Sequence, residues 1–141
     1  MTFQLKGPEV QIMACWVIFD EEGFNEQCLL DYLGLHSLLE ELVKKLDMVT
    51  ILPPIGVKLP IVNYVDPITN RSADMNDSGF SFITVSAMMI DTSHIVLHTW
   101  SKFRKAFLEV ASCKRFEESI ISELIKSYFP TCKIQTRSLL F

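Results

Sequence analysis

Three stretches rich in β-branched and aromatic residues, Phe80 to Ile90, Ser93 to Trp100 and Phe103 to Val110, follow one another with breaks of two residues. A parallel pairing needs a crossover of about a dozen residues, so breaks this short dictate an antiparallel meander. Upstream, Val10 to Phe19 reads as a buried strand and Asp20-Glu21-Glu22-Gly23 as a turn. Asn25 is placed to cap a helix, because Leu29, Leu30, Leu33, Leu35, Leu38, Leu39, Leu42, Val43 and Leu46 then recur at helical spacing. Gly34 inside it marks a kink or a close approach, and Glu40 and Glu41 stand four residues before Lys44 and Lys45 on the solvent side. Met48 to Val57 is a further strand, confined to an edge or an end by Pro53-Pro54. Pro60 to Ser78 shows no sustained period and reads as a long loop. Phe116 to Phe129 is the second helix, stopped by Pro130, and Lys133 to Leu140 is the last strand. The order β-α-β-β-β-β-α-β predicts one α+β domain over residues 1–141, a two-layer sandwich with a largely antiparallel sheet packed on two helices.

Composition narrows the function classes. Hydrophobic residues make up 49 % of the chain and charged ones 21 %, which suits a packed core and not a disordered chain. The net charge of −4 and the shortness of the densest basic segment, Lys102-Phe103-Arg104-Lys105, which falls on an expected strand, argue against a nucleic-acid surface. Cys15, Cys28, Cys113 and Cys132 form no CxxC pair, and the longest apolar run, Ile12 to Phe19, is too short to span a bilayer. A cytoplasmic protein with reduced thiols and no membrane partner is therefore expected. A mean hydropathy of +0.26 in so short a chain predicts apolar surface covered by a partner subunit, hence a homodimer or higher homo-oligomer.

The chemistry-bearing stretch is Asp91-Thr92-Ser93-His94-Ile95-Val96-Leu97-His98-Thr99-Trp100, with Cys113 on the far side of the next strand. Read alone, Ser93 is a turn serine between strands. His94 and His98 lie four apart and share a strand face, so with Cys113 they form a zinc ligand set on paper, although no carboxylate stands ready to orient them; metal is not expected. A Cys113–His98 protease dyad lacks a recognisable nucleophile context, and an inert core thiol is the plain alternative for Cys113. Cys15, Cys28 and Cys132 belong to that inert class. Trp16, Trp100, Phe103 and Phe107 read as core, His36 has no assignable role, and Glu9, Asp74 and Asp77 are carboxylates among which nothing selects.

Taken together, Ser93, His98 five residues on and Cys113 twenty on carry a more specific signal. With His94 and Thr99-Trp100 they resemble the Glu-Ser-His-x-x-x-His-Thr-Trp-Pro-Glu motif and the later cysteine of the small prokaryotic S-adenosylmethionine decarboxylases. The likeness extends from about Val10 to Arg137, with the motif residues concentrated between Ser93 and Cys113. It implies the same α+β sandwich, dimerised with the active site at the interface, and a proenzyme that cleaves its own backbone between Thr92 and Ser93. Ser93 would become a pyruvoyl cofactor, whose ketone, condensed with the substrate amine, absorbs the electrons left when carbon dioxide departs. His98 would be the processing base, since imidazole titrates near neutrality. Cys113 would return a proton to the product, for which the thiol must stay protonated, as an apolar surround favours. The implied reaction is decarboxylation of S-adenosylmethionine for spermidine and other polyamine synthesis.

The chain departs from that pattern at defined places. Thr92 stands where the family has glutamate, Ser101-Lys102 replaces Pro-Glu, and Ala111-Ser112-Cys113-Lys114 replaces Phe-Thr-Cys-Gly. The serine that assists processing, eight residues before the cleavage serine in the family, is here Val85, flanked by Thr84 and Ser86; a one-residue bulge would bring Ser86 into place. Loss of the glutamate removes a carboxylate from the substrate side. The same cofactor acting on another amino acid such as arginine, or a non-processing homologue that binds a partner subunit or ligand, are the alternatives this leaves open.

Overall fold

A period of two decides the layering. Along β1 (Gln11–Phe19), Met13, Cys15, Val17 and Phe19 are buried while the residues between them are partly exposed, so one face of the strand meets the core. The computed structural model describes residues 9–20, 22, 25–58, 62–65, 67–70, 72–75, 80–87 and 92–141. After β1 come a 3-10 turn (Glu26–Leu29), α1 (Tyr32–Lys45), β2 (Thr50–Lys58), β3 (Val62–Val65), β4 (Ser72–Met75), β5 (Phe80–Ala87), β6 (Thr92–Trp100), β7 (Lys105–Ser112), α2 (Glu118–Tyr128) and β8 (Cys132–Leu140). Six strands form one antiparallel sheet in the order β2-β5-β6-β7-β1-β8, and β3 pairs with β4 in a separate antiparallel ribbon. The two helices bury Leu35, Leu38, Leu39, Leu42 and Val43 from α1 and Ile121, Leu124 and Ile125 from α2. These join Met13, Cys15, Ile95, Leu97, Leu108 and Val110 of the sheet in one hydrophobic core. The α+β sandwich expected from the sequence is the fold observed.

Several expectations change in detail. Asn25 caps the 3-10 turn, its side chain accepting the Gln27 N–H at 3.1 Å, and α1 starts seven residues later with Asp31 as its own cap. The close approach at Gly34 is made by the helix's own cap: its N–H donates to the Asp31 carboxylate at 3.1 Å, and a Cβ there would run into that carboxylate. Part of the expected loop from Pro60 to Ser78 is the β3–β4 hairpin, whose turn ends at Asn70 with φ 54, a left-handed conformation that asparagine tolerates. Lys102, Phe103 and Arg104 lie in the turn between β6 and β7, so only Lys105 of the basic segment is in a strand. Pro53-Pro54 does sit on an edge strand, where the β2–β5 register slips twice. At Gly56 the Phe82 ring occupies the space a Cβ would need.

Among the described residues no helix covers the other face of the sheet. Trp16 packs against Trp100 and Phe107 there, with ring centroids 5.8 and 6.5 Å away, and the Lys105 ammonium lies over the Trp16 ring. The sequence assigned these aromatics to the core; alternation along β1, β6 and β7 instead turns them to the uncovered side, while Phe103 is exposed in its turn. Ile55, Val57 and Ile83 on the outer strands are about half exposed, at 47 %, 61 % and 45 %.

Candidate active site

Ser93 is the second residue of β6, directly opposite Ser86 on β5 and Ser112 on β7. It is 9 % exposed, and its hydroxyl donates to the Met48 sulfur at 3.4 Å, a weak acceptor on the helix side of the sheet. Met48 is held there from two directions. Its N–H donates to the Val43 carbonyl at 3.0 Å, and the Lys114 ammonium reaches the carbonyl of the preceding Asp47 at 2.9 Å and its carboxylate at 3.4 Å. Lys114 also donates its N–H to Ser112 Oγ at 3.0 Å. The lysine that replaces the family's glycine thus ties the end of β7 to the turn beneath Ser93.

The same end of the sheet opens into a cavity of about 490 Å³ lined by Val10, Ile83, Ser93, His94, Val96, Ala111, Ser112 and Cys113. That volume is within the range of small-ligand sites. Two of the three residues singled out by spacing, Ser93 and Cys113, therefore share one pocket, because Ser93 pairs with the residue that precedes Cys113. His94 lines it as well. The other walls are aliphatic, hydroxyl or thiol, with no carboxylate among the described lining residues.

His98 stands apart from this pocket. Five residues of strand separate it from Ser93, about 16 Å, and odd spacing puts it on the opposite face. Its Nδ1 lies 2.6 Å from Ser81 Oγ, and its ring stacks on Phe107. Burial holds the imidazole below its ordinary value, with the Glu109 carboxylate pulling the other way, so the ring is neutral at pH 7. Ser81 was not legible as a site residue. It is the cross-strand partner of His98, found by counting outward from the Ala87–Thr92 pair, whereas the family spacing pointed to Val85. The β5–β6 register runs unbroken, so no bulge shifts Ser86, which faces Ser93 without one.

The remaining candidates disperse. Thr92 opens β6 opposite Ala87, and Asp91 and Asp77 lie outside the described residues. Asp74 pairs with Asn63 in the β3–β4 ribbon, and Glu9 makes an exposed ion pair with Arg115 at 3.5 Å. His36 stacks on Tyr32 in α1. His94 and His98 share a face but are about 13 Å apart, too far for one metal ion, and among the described residues no three His, Cys, Asp or Glu side chains converge. Burial raises the thiols of Cys15, to about 12, and of Cys28 and Cys132, which keeps all three protonated and unreactive. No helix among the described residues is long and apolar enough to cross a membrane.

Among curated proteins none matches the chain. A family model does: that of S-adenosylmethionine decarboxylase covers residues 16–140, from within the first strand through the last, and takes in every pocket-lining residue named above except Val10. The chain belongs to the S-adenosylmethionine decarboxylase family.

Proposed function

We propose that this protein is a pyruvoyl-dependent decarboxylase of S-adenosylmethionine, matured by cleavage of its own backbone between Thr92 and Ser93. The observation that carries the reading is the meeting of Ser93 and Cys113 in one cavity, from positions twenty residues apart. A carbonyl group at position 93 fits there. It would stand at the end of an apolar chamber, between the Ser112 and Cys113 strand end and His94, with room beside it for an amino acid. When formed, the pyruvoyl group supplies the electron sink that decarboxylation needs.

The chain's own residues account for the rest. Ser93 Oγ attacks the Thr92 carbonyl carbon, the Thr92–Ser93 C–N bond breaks, and an ester replaces the amide. Loss of the Ser93 α-proton then expels Thr92 as a carboxylate, the new C-terminus of the first fragment, and leaves dehydroalanine at position 93. Water adds to its imine form and the Ser93 nitrogen departs as ammonia, which gives the ketone. Cys113 presents a thiol to the pocket and donates the proton that the decarboxylated product requires. His98 is the proposed base for the α-proton. In the present strand arrangement that proton is out of its reach, so Thr92 to His94 must leave the β5–β6–β7 ladder and fold toward the open face before elimination. Ser81 then holds the imidazole in one orientation, as hydroxyl partners of catalytic histidines do.

The pocket favours a second imidazole, His94, which lines it without rearrangement. Separate His98→Ala and His94→Ala variants decide between them by the rate at which full-length chain disappears on denaturing gels. His98→Ala is expected to slow cleavage at least about 100-fold, the span of a general base. In the wild type the acid limb of the cleavage rate should lie below pH 6.5, because burial lowers the histidine and only the neutral ring accepts a proton. Cleavage retained in His98→Ala and lost in His94→Ala would transfer the role.

The open sheet face is proposed as a homodimer interface, since helices cover only one side and the other carries Trp16, Trp100, Phe107 and the half-exposed Ile83. The pocket walls Ile83, His94, Val96 and Ala111 lie on that face, so a partner subunit would close that side of the pocket. Sedimentation of Ile83→Lys should show a monomer where the wild type is a dimer; an unchanged dimer would place the interface elsewhere. The reading includes a cytoplasmic protein whose product feeds polyamine synthesis. Decarboxylation of arginine by the same cofactor is the alternative that the Thr92 exchange keeps open.

A further inference from the structure

We propose that Glu109 is the residue that recognises the distal positive charge of the substrate; this rests on the decarboxylase reading and names the group that would select its cationic substrates. The family places a carboxylate just before the cleavage serine, and this chain has Thr92 there. The described residues that line the pocket supply no replacement. Yet a decarboxylase for S-adenosylmethionine or for arginine must accommodate a cation away from the reacting carbon, a sulfonium in one and a guanidinium in the other.

Glu109 is placed to meet it. Alternation along β7 buries Leu108 and Val110 against the helices and turns Glu109 to the open face with Phe107 and Ala111. Its direct cross-strand neighbours are Val96 on β6 and Ala14 on β1. Val96 and Ala111 are both walls of the cavity. Opposed side chains in a sheet start about 5 Å apart, so the carboxylate borders the chamber on the side toward His98. Both direct neighbours are apolar, and among the described residues no hydrogen bond or ion pair engages Glu109. The nearest cation in its row is Arg137, beyond Ala14 and two strands away, about 10 Å. His98, the other titratable group it faces, is neutral at pH 7. A cation bound beside this carboxylate would have no ion pair among the described residues to displace.

The test separates charge recognition from shape. Calorimetry on the self-cleaved wild type and on Glu109→Gln and Glu109→Asp would compare 5′-dimethylsulfonio-5′-deoxyadenosine with its neutral methylthio counterpart, and agmatine with its urea analogue. These lack the amino acid's carboxyl group, so binding does not depend on turnover. The wild type should prefer the cation of one pair about 10- to 100-fold, the pair showing which cation the site serves. Glu109→Gln should erase that preference while leaving the neutral ligand unchanged, and Glu109→Asp should keep part of it. A preference that survives in Glu109→Gln, or a cleaved wild type with no preference in either pair, overturns the inference. So does joint loss of both ligands with dissociation to monomers, which would make Glu109 an interface residue. Failure of the decarboxylase reading is seen separately, as a chain that never cleaves.

Discussion

Ser93→Ala is expected to stay a single chain of 141 residues, folded like the wild type and without decarboxylase activity. The effect should be complete because the hydroxyl does two jobs that no neighbour can share. It is the nucleophile of the acyl shift, and its oxygen leaves with Thr92 so that the side-chain carbon becomes part of the cofactor. Ser112 and Ser86 stand directly across from position 93, but neither can become the N-terminal residue of the second fragment by attack on the Thr92 carbonyl. The fold should survive, since the Ser93 hydroxyl's partner is the Met48 sulfur and a hydrogen bond to a weak acceptor contributes little. Gel mobility, intact mass and circular dichroism read all three points. Full activity in this variant would remove the pyruvoyl reading altogether.

Cys113→Ala should separate the two stages. Cleavage depends on Ser93, the Thr92 carbonyl and a base, so both fragments should still form at near the wild-type rate. Turnover should fall by about 100- to 10,000-fold, the usual contribution of a positioned acid, as product leaves without its proton delivered from the correct side. Cys113→Ser keeps a donor of similar reach but a weaker acid, and should lie between. Truncating a side chain at the half-buried end of β7 leaves the helix-side core intact, so a loss of activity would not be a loss of fold. Unchanged turnover with normal cleavage would take Cys113 out of the chemistry.

Most of the fold was readable because its signals are local. The periods of Val10 to Phe19, Ser93 to Trp100, Phe103 to Val110 and Phe116 to Phe129 come from the alternation that buries one face, and the structure repeats them within two residues. The end of the Phe80 to Ile90 stretch, past Ala87, lies outside the described residues. What local pattern could not show is which face the second layer covers. Trp16, Trp100 and Phe107 look like core residues by type, yet they share the uncovered side because the helices take the other. The start of α1 was displaced for a similar reason: Leu29 and Leu30 continue the apolar period but belong to a separate 3-10 turn, and the Asp31–Gly34 cap outweighs their spacing. At the site, Ser93 and Cys113 were singled out through the family resemblance, and the β6–β7 pairing that sets Ser93 opposite Ser112 is why both line one cavity. Ser81 and Glu109 were not. Both act, in the present reading, through cross-strand register, which needs the position of the β5–β6 turn and the pairing of β1 with β7.

The most direct test of the central claim is the denatured mass of the purified wild-type protein after prolonged incubation. Two fragments, residues 1–92 ending in a free carboxylate and residues 93–141 beginning with a pyruvoyl group that blocks Edman degradation, are expected. A single intact chain that still carries Ser93 would contradict the account and leave a family member that keeps the fold without making the cofactor.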